Sequence, residues 1–524
     1  MKIKKIICLF ALVFALCLAS CTDGTKLDMD SSGNVESNGG FAVTTGNYVY
    51  FVNGVESYST EYKTGEVVKG ALMRTKKENF AKLGTEEWKE DLSETVVSKL
   101  IVSSDYTAGF YVYGDYVYYA VPSTEKDTTG KLKNSKLNFF MTKLDGTSTS
   151  KKIADKDFGN SAQFRYISSG EKVYLAVYET ALYVYDTASC KQVYAYDSEK
   201  EPIDELIFDD GLGADVYFTI KPINTNLYDK DSDSAKQASY QDLYKYTLGE
   251  ENPSLVLSGV GKYAVGENHE LVGGDGVSLT GATIDLFKHI GGYLYFSYTS
   301  LDSTVGETVY VRLKDGKTAW ADKEVLNGGD KNASAIFADG SYYKVDGESV
   351  EIYFISSDKG LLKYDYKKNS LLGATAPDGD FGVTTVYYSS DITSCTILGF
   401  YGNYLYLYDA SGNYFRVDIA NEKDVRINKH SFTTSWYNAE VITISGKQYL
   451  IGSYSDGEYN SYVYAIDVDK AIAEYDALSD DDKAEYFTSA LTADEYKGVK
   501  ATLLGKTNED DQKTYEEKLE ELEK

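Results

Sequence analysis

Cysteine, proline, histidine and positive charge are all scarce in this 524-residue chain. Five cysteines, at positions 8, 17, 21, 190 and 395, have neither the density of a disulfide framework nor the spacing of a zinc site. The three histidines, His269, His289 and His430, are too few and too dispersed to suggest a metal cluster. Lys and Arg number 53 against 81 Asp and Glu, a formal charge of −28. A phosphate backbone needs a basic face, so nucleic acid is not expected as a partner. No stretch beyond residue 20 approaches eighteen apolar residues, so no membrane-spanning helix is expected.

Catalytic signatures are missing too. His269-Glu270 opens like a zincin helix, but the second histidine is absent because Leu271, Val272 and Gly273 follow. No G-x-S-x-G nucleophile elbow occurs. Gly316-Lys317-Thr318 lacks the glycine that a phosphate loop needs five positions earlier, where Val311 stands. Gly259-Val260-Gly261 lacks a following helix and reads as a loop. Asp229-Lys230-Asp231-Ser232-Asp233 begins like a calcium loop, yet Ser234 replaces the turn glycine and Tyr240 the closing glutamate. No metal and no cofactor are expected, and a non-enzymatic role leads. A paired-carboxylate enzyme stays open, because 81 acids offer many pairs.

The N-terminus carries an address. Lys2, Lys4 and Lys5 precede a thirteen-residue apolar stretch, Ile6 to Leu18, the pattern of an export signal. It ends in Leu18-Ala19-Ser20-Cys21, which resembles the lipobox of bacterial lipoproteins. That resemblance implies removal of residues 1–20, lipidation of Cys21, and a membrane anchor made of acyl chains alone. The folded body would then lie on the outer side of the cell membrane. Residues 21–40 are polar and rich in Gly and Ser, a tether with a reach of roughly 25 Å. Cys190 and Cys395 remain, and are expected to be separate buried thiols.

What is abundant is tyrosine, 49 residues against 21 Phe and 3 Trp. Many fall in a recurring strand, aromatic–aliphatic–Tyr–aromatic, usually just after Gly or Asp. The copies centre on Tyr50, Tyr118, Tyr174, Tyr217, Tyr295, Tyr353 and Tyr406, with a weaker one at Leu450. A second strand follows most of them and runs into Asp, as at Asp145, Asp186, Asp315, Asp365, Asp418 and Asp467. That Asp suits a bond to the backbone of the next turn. Period-two alternation and repeats of this length predict an all-β protein, a β-propeller over 41–468. Eight blades are expected, with seven possible by count. The last is expected to end after its third strand, so closure would borrow a strand from near the N-terminus. Long loops are expected at 121–137, 224–241 and 262–280.

These strand pairs resemble the bacterial lipoprotein propellers similar to the YWTD propeller of low-density-lipoprotein receptors, a family largely of unknown function. None continues as Trp-Thr-Asp, so no site residue is carried over. Residues 469–524 switch to helix signals: Ser479 before three Asp, capping-box spacing at Thr492 and Glu495, and a weaker box at Thr507 and Asp510. Three or four short helices are expected there, capping the propeller or docking a partner. The leading expectation is a lipid-anchored binding or scaffold protein for an envelope protein or polysaccharide. The alternative is a polysaccharide hydrolase or lyase with carboxylates and tyrosines at the propeller mouth.

Overall fold

The computed structural model describes residues 40–487 apart from 54–70, 84, 89–91, 98–100, 102–109, 124–127, 129–135, 147, 197–201, 222, 226–237, 260–261, 268–269, 274–278, 281, 301–307, 323–340, 347–348, 366–382, 433–438 and 456–460. The export signal, Cys21, the tether to residue 39, the acidic loop at 229–233, His269 and the helices expected beyond 487 lie outside the described residues.

The chain folds into an eight-bladed β-propeller. The blades span 42–97, 110–159, 163–195, 203–257, 282–322, 342–387, 396–426 and 439–467. Seven contain an antiparallel four-stranded meander, and the eighth has three strands. The count of eight, rather than seven, is therefore settled. Each tyrosine-centred copy is the second strand of a blade, from Tyr48–Val52 in the first to Lys447–Ser455 in the eighth. The strands that run into Asp are the third strands, such as Leu182–Asp186 and Tyr414–Asp418. Two further third strands, Leu72–Lys76 and Leu243–Thr247, end without Asp and escaped the sequence pattern.

First strands of neighbouring blades touch, which places them innermost, around the axis. Their turns into the second strands explain the glycine before most tyrosine copies. Every described first-to-second turn is two residues long except that of the fourth blade: 46–47, 114–115, 170–171, 291–292, 402–403 and 445–446. Gly46, Gly114, Gly170 and Gly402 stand first with φ between 44° and 61°. A two-residue hairpin matching the strand twist needs that left-handed position, and glycine takes it without a Cβ clash.

Tyrosine fills the space between blades. Tyr111, Tyr119, Tyr166, Tyr217, Tyr295 and Tyr298 are fully buried. The hydroxyls find carbonyls: Tyr113 donates to the Tyr166 oxygen and Tyr166 to the Tyr119 oxygen, both at 2.8 Å. The Asp at third-strand ends behaves as expected in three blades. Asp186 accepts from the amide of Ser189, Asp418 from that of Asn421 and Asp467 from that of Lys470.

Three expectations need correction. The 262–280 stretch is a small three-stranded sheet, not a plain loop, built from Lys262–Val265, Leu271–Gly273 and Leu279–Thr280. Within 224–241, Ile223–Thr225 pairs with Ala238–Tyr240 as a hairpin. Cys190 is only half-buried, because it sits at φ 53° in the turn after a third strand. Cys395 is buried as expected, and both thiols are free.

Past the last strand come two helices, α1 (Val468–Asp476) and α2 (Asp480–Tyr486). Asp467 caps α1 and Ser479 caps α2, each accepting from an amide three residues on. Val468 and Ile472 of α1 pack with Tyr406, Tyr414, Val441 and Leu450, at the junction of the last two blades. Arg416 and Lys423 of the seventh blade pair with Asp469 and Asp476. α1 therefore caps the propeller, whereas α2 buries no residue.

Candidate functional site: the axial mouth and its loop-bearing face

In a meander blade, the second-to-third turns and the links between blades leave from the face where first strands begin. Both ordered insertions of the fourth blade lie on that face. The hairpin (223–240) interrupts its second-to-third turn, and the small sheet (262–280) forms its link to the fifth blade. The hairpin packs on the fifth blade's first strand and the small sheet on its fourth. The stretch 121–137 is a second-to-third turn too, so the three long loops read from the sequence share one face.

The first strands bring acids to this mouth: Asp204 and Glu205 from the fourth blade, Asp285 from the fifth and Glu440 from the eighth. The register shifts between Ile203 and Leu206, and again between Leu286 and Lys288. Such bulges re-aim side chains at sheet edges. Glu205 thereby accepts from the Leu286 amide at 2.9 Å across the blade junction. Gln241, at the base of the hairpin, accepts from the Ile284 amide at 2.7 Å and donates to Asp204 at 2.6 Å. At the opposite end of the same strands Asp209 accepts from Gly211, Gly291 and Gly292.

These bonds have one physical cause. An innermost strand is an edge strand, with amides facing the channel that no neighbouring strand can pair. Side chains of the preceding blade satisfy them. Glu440 does the same at ring closure, accepting from the Phe41 amide of the first blade and from the Tyr401 hydroxyl of the seventh, both at 3.2 Å. Burial pushes the Glu440 carboxyl up to about 7, although the residue as a whole keeps some exposure. Burial also raises Glu205, helped by the charges of Asp285 and Asp204. Asp285 accepts from Ser297 at 3.2 Å.

His289 sits beneath the mouth on the fifth blade's first strand, fully buried, with its ring edge-on to Tyr217. Its Nε2 lies 3.5 Å from Asp209. Burial lowers its pKa, so the imidazole is neutral near pH 7. Among the described residues no three His, Cys, Asp or Glu side chains are arranged to hold a metal ion.

A second recurring feature was missed in the sequence. In five blades the second-strand tyrosine faces a cation on the third strand: Tyr50 with Arg74, Tyr217 with Lys245, Tyr295 with Arg312, Tyr353 with Lys363 and Tyr406 with Arg416. Several of these cations also pair with acids, as Lys245 with Asp215 and Lys363 with Glu351, both at 2.9 Å. The signal was readable as basic–apolar–Asp in Lys363-Tyr364-Asp365 and Arg416-Val417-Asp418.

No family model and no curated protein sequence matches the chain. Solved propeller structures do, at low similarity. An oligogalacturonate lyase from Vibrio parahaemolyticus is 11% identical, covering 68% of this chain and 87% of its own, with a TM-score of 0.37. BamB from Moraxella catarrhalis is 13% identical over 81% and 94%, with a TM-score of 0.33. The computationally designed Ika8 protein is 10% identical over 84% and 98%, with a TM-score of 0.36. These likenesses concern the fold and carry no activity to this chain.

Proposed function

We propose that this chain is an exported, lipid-anchored propeller that binds an envelope protein or polysaccharide without transforming it. The observation that carries the binding reading is the pair of strand-bearing insertions of the fourth blade. The hairpin at 223–240 and the small sheet at 262–280 stand on one face and pack against the fifth blade. Such elaboration on a rigid scaffold is where binding surfaces are built. The anchor half of the reading rests on the lipobox at Leu18–Cys21.

The hydrolase or lyase reading needs carboxylates free to meet a substrate. The two mouth acids with raised pKa are engaged instead. Glu205 holds a backbone amide, and Glu440 holds an amide and a tyrosine hydroxyl. They brace neighbouring blades.

The test uses residues 21–524 and a variant in which 224–239 is replaced by a two-residue turn. Each is exposed to envelope extracts and to a polysaccharide panel. Retention of one ligand by the parent, and its loss in an equally stable variant, is the expected result. Ligand binding that ignores the insertion, or turnover of any polysaccharide, would overturn the proposal.

A further inference from the structure

The two ends of the fourth–fifth junction are held by different chemistry. At the mouth, Gln241 of the fourth blade accepts from the Ile284 amide of the fifth at 2.7 Å. A carboxamide does not titrate, so this bond is the same at any pH. Glu205 accepts from the Leu286 amide beside it, and a protonated carboxyl still has an oxygen to accept with. At the base, Asp209 pins the fourth blade to the amides of Gly291 and Gly292. The Asp210 amide adds a bond to the His289 carbonyl at 2.9 Å.

His289 lies inside this pin. It is fully buried, and neither ring nitrogen has a hydrogen-bond partner, Nε2 standing 3.5 Å from Asp209. The fourth blade presents Asp209, Asp210, Asp215, Lys245 and the Tyr217 ring to it. Lys288 is its neighbour on its own strand. Lys314 and Asp315, at the end of the fifth blade's third strand, reach Gly291 and Tyr217. The carboxylates facing the imidazole are all engaged. Asp210 pairs with Lys288, Asp215 with Lys245, and Asp209 holds three amides. An imidazolium enclosed here would carry an N–H with no acceptor, which a buried charge tolerates poorly. Once the base opens, water is the acceptor, and the ring takes its proton as any exposed histidine does.

We propose that acidification opens the base of the fourth–fifth junction about its mouth-end contacts, with the buried His289 as the trigger. The folded ring thus has a built-in hinge, at the junction that carries both insertions. The device is independent of any ligand. An exposed histidine goes from mostly neutral to almost fully charged between pH 7.5 and 5, which favours the open form by up to about thirtyfold.

Hydrogen exchange followed by mass spectrometry on residues 21–524, at pH 7.5 and 5, tests this. After correction for the intrinsic pH dependence of exchange, peptides over 209–213 and 289–292 are expected to exchange up to about thirtyfold faster at pH 5, while 282–286 stays unchanged. His289→Phe keeps a ring that gains no proton, and should abolish the acceleration. The chain has three histidines, so their ring signals can be followed by nuclear magnetic resonance in the unaltered protein. The His289 signal should titrate below 6.5, in step with the exchange. An acceleration spread evenly over 282–292, or one that persists in His289→Phe, overturns the proposal. So does a His289 titration at 6.5 or above, a result that stands even if the variant fails to fold.

Discussion

Asp209 is the most heavily engaged carboxylate at the junction of the fourth and fifth blades. It accepts from three backbone amides, of Gly211, Gly291 and Gly292, at 2.7 to 3.0 Å, and is nearly inaccessible to water. A Cβ at Gly211 would lie 3.1 Å from the Asp209 carboxylate, and Gly292 sits at φ 77°, so the backbone approaches Asp209 this closely where glycines stand. Removing the acceptor leaves buried amides unsatisfied, which costs more than the net value of the bonds. Asp209→Ala is expected to destabilise by about 2–4 kcal/mol. Urea denaturation would show it, and an unchanged midpoint would mean that water replaces the carboxylate. Asp209 was not legible beforehand. Nothing in Phe208-Asp209-Asp210-Gly211 says that its partners are 82 and 83 residues away.

At the scale of the element, the two C-terminal helices look alike in sequence and differ in the fold. Both start at a side-chain cap, and both carry acids in the first turn. Only α1 buries side chains and pairs its acids with the seventh blade. Ile472→Ala should therefore cost about 2–4 kcal/mol, as for a buried aliphatic truncated in a packed site, and lower the thermal midpoint of the whole propeller. Ser479→Ala should fray α2 by about 1 kcal/mol and leave that midpoint alone. Circular dichroism at two wavelengths, reporting helix and global unfolding, separates the outcomes. If both substitutions shift the midpoint equally, α2 belongs to the core.

The same contrast shows what sequence could reveal. Second and third strands were legible because they are buried on both faces and repeat a chemistry, Tyr in one and a terminal Asp in the other. The exposed fourth strands, such as Lys191–Ala195, were not, because a solvated outer strand has little side-chain chemistry to repeat. The mouth acids were invisible for another reason. Asp204, Glu205 and Asp285 meet only where the first strands of the fourth and fifth blades run side by side, Glu440 stands apart at the junction of the eighth and first, and a chain with 81 acids gives no reason to single them out.

For the molecule as a whole, the deciding feature is that a ring must close. Glu440 stands at the closure, bonded to the first blade through Phe41 and to the seventh through Tyr401. Its carboxyl is raised from 4.5 to about 7 on folding, so the folded ring binds a proton that the unfolded chain releases. The stability contributed by that proton is fully present below pH 4.5 and is lost as pH rises through 7. Glu205 shifts in the same direction. His289 opposes both. Its pKa is lowered on folding, so its contribution is present above 6.5 and is lost on acidification below it. The −28 charge adds self-repulsion that also grows toward alkaline pH. Between pH 6.5 and 8 only the first and last trends act, and both weaken the ring as pH rises. Glu440→Gln keeps an acceptor at the closure and removes the titration. Relative to this variant, the parent is expected to lose on the order of 1–2 kcal/mol between pH 5.5 and 8, after allowance for the water that still reaches the residue. Urea midpoints of both proteins at the two pH values measure the difference. Parallel pH profiles would show that Glu440 is charged at neutral pH and that the closure is held by packing alone.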